Sequence, residues 1–404
     1  MNHIRKRLAG RRVAMVTFSN YPFDPRPRRS VDALVGEGAT VDLICLGNEN
    51  EPRRETLDGI NILRVPLKHP RRGKLEYGIR YGAFILATSA IFGLRSLSRR
   101  YDLVYVHNMP DILVISSLVP KLLGAKVVLD LHDPMPELMM TIFHVTESSS
   151  SVRLMKRLEK WSIARTDLAI TVNIACQRIF GARSCKESKI GVVMNAPDGE
   201  IFPFRAAQPR AAERDRSKPF VIMYHGSIVE RNGLDLAVEA LAQIHEKIPS
   251  AELRIYGRST PFLERVMATA KEKGLEKSVR YLGARQLEEL VSEIESCDVG
   301  VIPNQKNSFT DINTPTRIFE YLALGKPVIA PRTLGIEDYF TPESLLFFDS
   351  GDAQGLAKQF EYVFNHPAEV LETAKNGQQI YMGHTWEMER ETLIGRVAGI
   401  LPAR

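Results

Sequence analysis

Residues 313–331 read NTPTRIFEYLALGKPVIAP. Thr314 is a good N-cap, Pro315 suits the first helical position and Gly325 suits the C-terminal cap, so the spacing predicts a helix over Thr316–Leu324. Lys326-Pro327 then leads into a buried strand, Val328–Ala330. A loop–helix–strand unit aims free backbone N–H groups and the positive end of the helix dipole at whatever lies in front of the helix. That makes a phosphate site. Glu320 sits less than two turns into an otherwise apolar helix, where a carboxylate is costly without a partner. Two partners are open: the vicinal hydroxyls of a ribose, and Arg317 at i−3.

The same alternation runs outward in both directions. Downstream of residue 219 the strands read Phe220–His225, Glu252–Tyr256, Val279–Leu282, Val299–Ile302, Val328–Ala330 and Leu345–Phe348, with helices at Leu234–Ile248, Pro261–Lys273, Gln286–Ile294 and Thr316–Leu324. Upstream they read Val13–Thr17, Val41–Cys45, Ile60–Val65, Leu103–His107, Lys126–His132 and Leu168–Val172, with helices at Arg29–Glu37, Ile79–Leu97, Leu113–Leu123 and Val152–Arg165. Most of these strands are continuously apolar, as in a parallel sheet covered on both faces. The pattern breaks at VVMNAPDGEIFPF (192–204) and the polar segment after it, which marks a linker. The expected architecture is α/β: two doubly wound, Rossmann-like domains, 1–195 and 205–381, facing a central cleft, with a C-terminal helix (382–404) packing back on the first. Ligands then belong at the carboxyl ends of the strands.

The chain has 404 residues, 44% apolar and 25% charged, which excludes disordered and fibrous classes. Its four cysteines form no C-x-x-C pair, so a disulfide scaffold or thiolate zinc site is not expected and a reducing compartment fits. Residues 1–190 hold 30 Lys+Arg against 18 Asp+Glu, a net of +12, and the remainder 24 against 30, a net of −6. The two halves therefore face different partners. The basic N-terminus has too short an apolar run for a signal peptide, and no stretch reaches the roughly 18 uncharged apolar residues of a spanning helix.

No G-x-G-x-x-G follows the first strand, and there is no P-loop, H-E-x-x-H or G-x-S-x-G. A dehydrogenase, a P-loop NTPase, a zincin and an α/β-hydrolase are disfavoured. In YHGSIVERNGLDLAVEAL (224–241) a strand ends at Gly226 and a polar loop carries one cation, Arg231. A guanidinium there can grip a diphosphate, or be a surface residue. In LDLHDPMPEL (129–138) His132, Asp133 and Glu137 leave a buried strand, either to bind hydroxyls and handle protons or to cap the next helix. His107, His132 and His144 lack standard metal spacing, and no metal is expected.

Together these stretches resemble glycosyltransferases of the GT-B fold, of the retaining family 4 type. The likeness covers nearly the whole chain, including NYPFDPRPRRSVDALVGEGATVDLICL, DLVYVHNMPD, LDLHD, VVMNAPD, the HGSIVERNG loop, LRIYG and FEYLALGKPVIA. The resemblance implies donor-binding residues Gly226, Ser227, Arg231, Asn304, Thr314, Thr316, Arg317 and Glu320, with Glu320 on the ribose. It implies catalytic residues His132, Asp133 and Glu137, and an acceptor or phosphate side at Asp24, Arg26 and Arg28. The sequence departs from the family pattern at Ile312, where the first of two glutamates is usual, with Asp311 one residue away. It departs also at Ser227 and Asn232, which stand for Arg and Lys, and at Phe23-Asp24-Pro25-Arg26, which replaces a glycine pair.

The expected function is sugar transfer, with retention, from a nucleotide-diphosphate sugar to a hydroxyl of a lipid-linked glycan or cell-surface polysaccharide precursor, with no cofactor. The alternatives are a nucleotide-sugar epimerase of the same fold and a catalytically degenerate nucleotide-sugar-binding protein. Tyr81–Leu94 is uncharged and flanked by basic residues. It is either an interfacial membrane helix or a core helix. VRLMKRLEKWSIAR (152–165) is a second basic amphipathic segment. An anionic membrane is the expected partner surface, nucleic acid is not, and the expected place is cytoplasmic, peripheral on the inner face of the cytoplasmic membrane.

Overall fold

The structure, a computed structural model, describes residues 6–48, 51–67, 74–209 and 218–403. The basic stretch 68–73 and residues 210–217 of the expected linker lie outside the described residues. The chain divides into two compact units, residues 1–194 with 389–404, and residues 195–388.

The first unit contains β1 (Arg12–Asn20), α1 (Pro25–Gly36), β2 (Thr40–Leu46), β3 (Arg54–Leu57), β4 (Ile60–Val65), α2 (Lys74–Ser98), β5 (Leu103–His107), α3 (Leu118–Leu122), β6 (Lys126–Leu131), α4 (Met135–Phe143), α5 (Ser150–Ala164), β7 (Leu168–Thr171), α6 (Ile174–Arg183) and β8 (Ile190–Val192). Its strands order β3-β4-β2-β1-β5-β6-β7-β8. All the pairings are parallel except β3 on β4. Central strands such as β5 are buried throughout, as continuous apolar runs require. The expected helix at 113–123 is a 3-10 turn, Asp111–Ser117, running into α3.

The second unit contains β9 (Phe220–His225), α7 (Leu234–Ile244), β10 (Ala251–Tyr256), α8 (Pro261–Glu272), β11 (Val279–Gly283), α9 (Leu287–Ser296), β12 (Val299–Val301), α10 (Thr316–Ala323), β13 (Val328–Pro331), α11 (Leu334–Glu337), β14 (Leu346–Phe348), α12 (Ala353–Asn365) and α13 (Pro367–Met382). Its sheet orders β11-β10-β9-β12-β13-β14, every pairing parallel. This is the doubly wound order 3-2-1-4-5-6, whose switch point falls between β9 and β12. The sheet and α7, α8 and α12 close one core around Ile222, Ile255, Leu241 and Phe360.

A last helix, α14 (Trp386–Ile400), starts in the second unit and lies in the first from Glu389 onward. There Leu393, Ile394 and Val397 are buried, the Glu389 carboxylate accepts from Met194 N at 2.7 Å, and Glu391 pairs with Arg7 at 2.6 Å.

Candidate functional site

Two clusters, one in each unit, gather the residues picked out from the sequence. In the second unit, Gly226 and Ser227 leave the end of β9 and Asn304 follows β12, flanking the switch point. Helix α10 faces the same strand ends, but its cap differs from expectation. Pro315 is the N-cap, with no side-chain bond, and Thr314 donates instead to Gly335 O at 2.6 Å. With φ fixed by its ring, Pro315 sets the extended entry and needs no N–H there. Gly325 closes the helix at φ +71°, where an added Cβ would lie 2.8 Å from Arg205 O.

Glu320 does not pair with Arg317. Its Oε2 meets His225 Nε2 at 2.6 Å, and His225 Nδ1 meets the Tyr321 hydroxyl at 2.9 Å. Tyr321 donates to Met223 O at 2.7 Å. A carbonyl only accepts, so the tyrosine hydrogen is spent on Met223. His225 Nδ1 therefore donates to the Tyr321 oxygen, while its Nε2 faces the Glu320 carboxyl. Glu320 is thus fixed through one oxygen. A histidine at the carboxyl end of a central strand was the available signal for this partner.

Arg317 turns the other way. Its guanidinium donates to His225 O at 2.8 Å and to Asn304 Oδ1 at 3.3 Å, over the Tyr224 ring. It lies against Gly226, whose φ is +124°, and an added Cβ there would be 3.2 Å from Arg317 Cδ. Arg317 thus brings a cation beside the loop where Ser227 stands in place of the family's arginine. Arg231 sits half-buried in the turn Glu230–Asn232, 6.0 Å from the Phe309 ring centre. Thr316 opens α10 and is half-buried. Ile312 is buried, and Asp311 accepts from Leu334 N at 3.3 Å and pairs with Lys306 at 3.2 Å, so neither replaces a ligand-facing glutamate.

In the first unit, His132 and Asp133 follow β6. Asn108, at the end of β5, holds that turn. Its Oδ1 accepts from His132 N at 2.9 Å, and its Nδ2 donates to Asp133 O and Asp111 Oδ1, both at 3.0 Å. His132 Nε2 meets His107 Nδ1 at 2.8 Å. Burial pushes His107 down to about 4 and His132 well below its ordinary value, so both are neutral imidazoles near pH 7. Burial alone would raise Asp130, but the Arg26 guanidinium beside it holds its carboxyl near 2. Tyr105 donates to the other oxygen of Asp130 at 2.8 Å.

Four of the expected site residues take structural partners in the first unit. Arg26 is buried, donating to Asp130 at 2.9 Å and to Val193 O at 3.1 Å, so it braces the sheet ends and is not offered to a phosphate. Glu137 is buried against Arg183 at 2.6 Å, with Glu159 on the same guanidinium, and is no catalytic carboxylate. Arg28 is exposed and pairs with Asp32 along α1, while Asp24 caps α1 by accepting from Arg26 N. His107, Asp130 and His132 do offer ligand atoms within 4.8 Å of one another, whereas His144 is exposed at the end of α4. The facing histidine nitrogens are bonded to each other and Asp130 to Arg26, so an ion here would displace a guanidinium.

Two doubly wound units with polar residues gathered at their strand ends define a nucleotide-binding α/β class. A family model described as glycosyl transferases group 1 matches residues 207–380, and a glycosyl transferase 4-like domain matches residues 8–196. The chain belongs to the GT-B glycosyltransferases of the family 4 type. It is similar to a D-inositol 3-phosphate glycosyltransferase from Corynebacterium urealyticum, 27% identical over 52% of this chain and 50% of the relative. It is also similar to a glycogen synthase from Mycobacterium tuberculosis, 24% identical over 60% of this chain and 58% of the relative. The match spans about half the length of these curated relatives. Among solved structures, sucrose-phosphate synthase from Thermosynechococcus elongatus superposes with TM-score 0.74 at 20% identity, covering 96% of this chain and 98% of that one. Anabaena Alr3699/HepE in complex with UDP-glucose gives 0.70 at 16%, covering 96% and 99%.

Proposed function

We propose that the chain transfers a sugar from a nucleoside-diphosphate sugar to an acceptor hydroxyl, with retention. The observation that carries this reading is Glu320, held through one oxygen by His225 in front of a switch point, in the position to accept from vicinal ribose hydroxyls. The UDP-glucose complex of the HepE protein, similar in fold, supports a nucleotide-sugar donor. The bond from the anomeric carbon to the diphosphate oxygen breaks, and the acceptor oxygen joins that carbon from the same face. The acceptor proton passes to the departing phosphate oxygen. Arg317, Arg231 and the first amides of α10 stabilise the diphosphate as its charge grows, so the reading asks for no metal. His132, as a neutral imidazole, can hydrogen-bond a sugar hydroxyl. With Glu137 locked on Arg183, an epimerase would lack one of its two carboxylates.

The acceptor side of the proposal is a lipid-linked glycan or surface-polysaccharide precursor, met at the inner face of the cytoplasmic membrane. Its support is α2. Phe84 and Phe92 pack into the unit, while Ile79, Leu86, Leu94 and Leu97 are 64–74% exposed along the opposite face. Incubating the full chain with a panel of nucleotide sugars, with and without a lipid-linked acceptor, tests the function. Release of free nucleoside diphosphate with one donor is expected, and neither binding nor turnover of any donor would end the proposal.

A further inference from the structure

Between α2, the Asp111–Ser117 turn, α4 and α5 lies a groove of about 430 Å³. Its wall is built from Tyr81, Ile85, Met135, Met139, Ile142 and Leu158, and among the described residues lining it Asp111 is the one that is charged. That volume is within the range of pockets that bury a small ligand, and thioethers adapt to a flexible occupant.

The groove adjoins the His132 turn through Met109, Asp111 and Met135 of its lining. Asn108 bonds Asp111 in the groove with one hydrogen and holds the Asp133 carbonyl with the other. Asp111 and Met135 of the lining therefore place one end of the groove next to the turn that carries His132 and Asp133. The helix that supplies Leu158 to the wall, α5, exposes Arg153, Arg157 and Lys160 on its outer face, while its one carboxylate, Glu159, is buried on Arg183. The surroundings are cationic and the interior is apolar.

We propose that this groove binds the hydrocarbon chain of an acceptor that bears an anionic, phosphate-linked head, with the head's glycan presented to His132. The assignment rests on the lipid-linked acceptor reading above and adds the place where the lipid is held. Two glycines in α2, Gly78 and Gly82, form part of the wall, and a Cβ on either meets no atom within 4 Å. A larger side chain there enters the groove without displacing the core, and replacing glycine inside a helix favours the helix.

The test is binding of cis-parinaric acid, which brightens in an apolar cavity, to the full chain. The wild type binds it, and farnesyl phosphate displaces it where inorganic phosphate does not. Gly82→Trp, and independently the smaller Gly78→Leu, weaken probe binding roughly tenfold by occupying apolar volume, with unchanged circular dichroism. Leu122→Ser, exposed and outside the groove, retains binding. Probe affinity equal in wild type and both glycine variants overturns the proposal, as does a wild type that binds no probe. Displacement by inorganic phosphate alone overturns the chain-binding assignment. Probe binding in a protein that turns over no nucleotide sugar leaves the groove standing and removes the transferase reading, whereas donor turnover without probe binding does the reverse.

Discussion

Glu320 and Arg231 can be separated by what each loses. Glu320→Ala removes a charged acceptor, a loss of roughly 1.5–3 kcal/mol, so nucleoside diphosphate should bind more than about tenfold more weakly by calorimetry. Equal affinity with an intact fold would make the Glu320–His225 pair purely structural. Arg231→Ala should weaken a nucleoside diphosphate much more than the nucleoside. Equal losses for both ligands would place Arg231 away from the phosphates. Asp111 carries a pH signature. Burial raises its carboxyl to about 7 from 3.8, so between those values the folded chain keeps a proton that the unfolded chain has released. Through this group stability falls as pH rises from about 4 to 7. His107 acts in the opposite direction. Its folded value of about 4 against 6.5 means the unfolded chain binds the proton, and stability rises across that window. Asp111→Asn removes only the first contribution. In urea melts its stability relative to wild type should grow from about pH 4 to a plateau above about pH 7. A gap that does not change with pH would show that Asp111 does not titrate on unfolding.

Helix α2 shows why an element can be read and its faces missed. The sequence makes it apolar nearly all round, so spacing alone does not say which side packs. Within it Phe84, Ile85 and Phe92 are buried, with Phe84 edge-on to Phe18 at 5.0 Å. Nor is the apolar stretch short: Gly78–Ser98 is long and apolar enough to cross a membrane by length and composition, although one face packs on the unit. Phe84→Ser or Phe92→Ser should destabilise the first unit by roughly 3–5 kcal/mol, the cost of losing a buried ring. Leu86→Ser, Leu94→Ser and Leu97→Ser combined should leave the melting temperature within a few degrees and abolish co-sedimentation with anionic liposomes. High salt should release the wild type only in part, because salt screens the basic residues but not an inserted apolar face. A wild type that ignores liposomes at low salt would remove the membrane from the proposal. Most of the parallel strands were legible as apolar runs between turns, but β8, only Ile190–Val192, was not. Nor was β3, because Arg54–Leu57 is an exposed edge strand with no apolar run. At the sites, Glu320 stood out by local pattern, and Gly226 and Arg317 by the family resemblance. The captures of Arg26 by Asp130 and of Glu137 by Arg183 join residues 104 and 46 positions apart, which no local spacing reveals.

On the scale of the whole molecule, the charge asymmetry is matched by the division into two units, and the membrane expectation falls on the basic one. The return of α14 to the first unit fixes a further expectation. Deleting residues 389–404 removes the buried Leu393, Ile394 and Val397, each contributing roughly 1.5–3 kcal/mol, together with the Arg7–Glu391 pair. Scanning calorimetry should then show the first unit melting at lower temperature while the transition of residues 195–388 stays in place. A single unshifted transition would mean that α14 contributes nothing to the first unit. The same crossing has a consequence for synthesis. The second unit is one uninterrupted stretch, so the whole of it leaves the ribosome before the first unit has received its final helix. The unit begun earliest is completed last, and until residues 389–404 emerge, the surface that receives Leu393, Ile394 and Val397 stands open to chaperones and to unwanted partners.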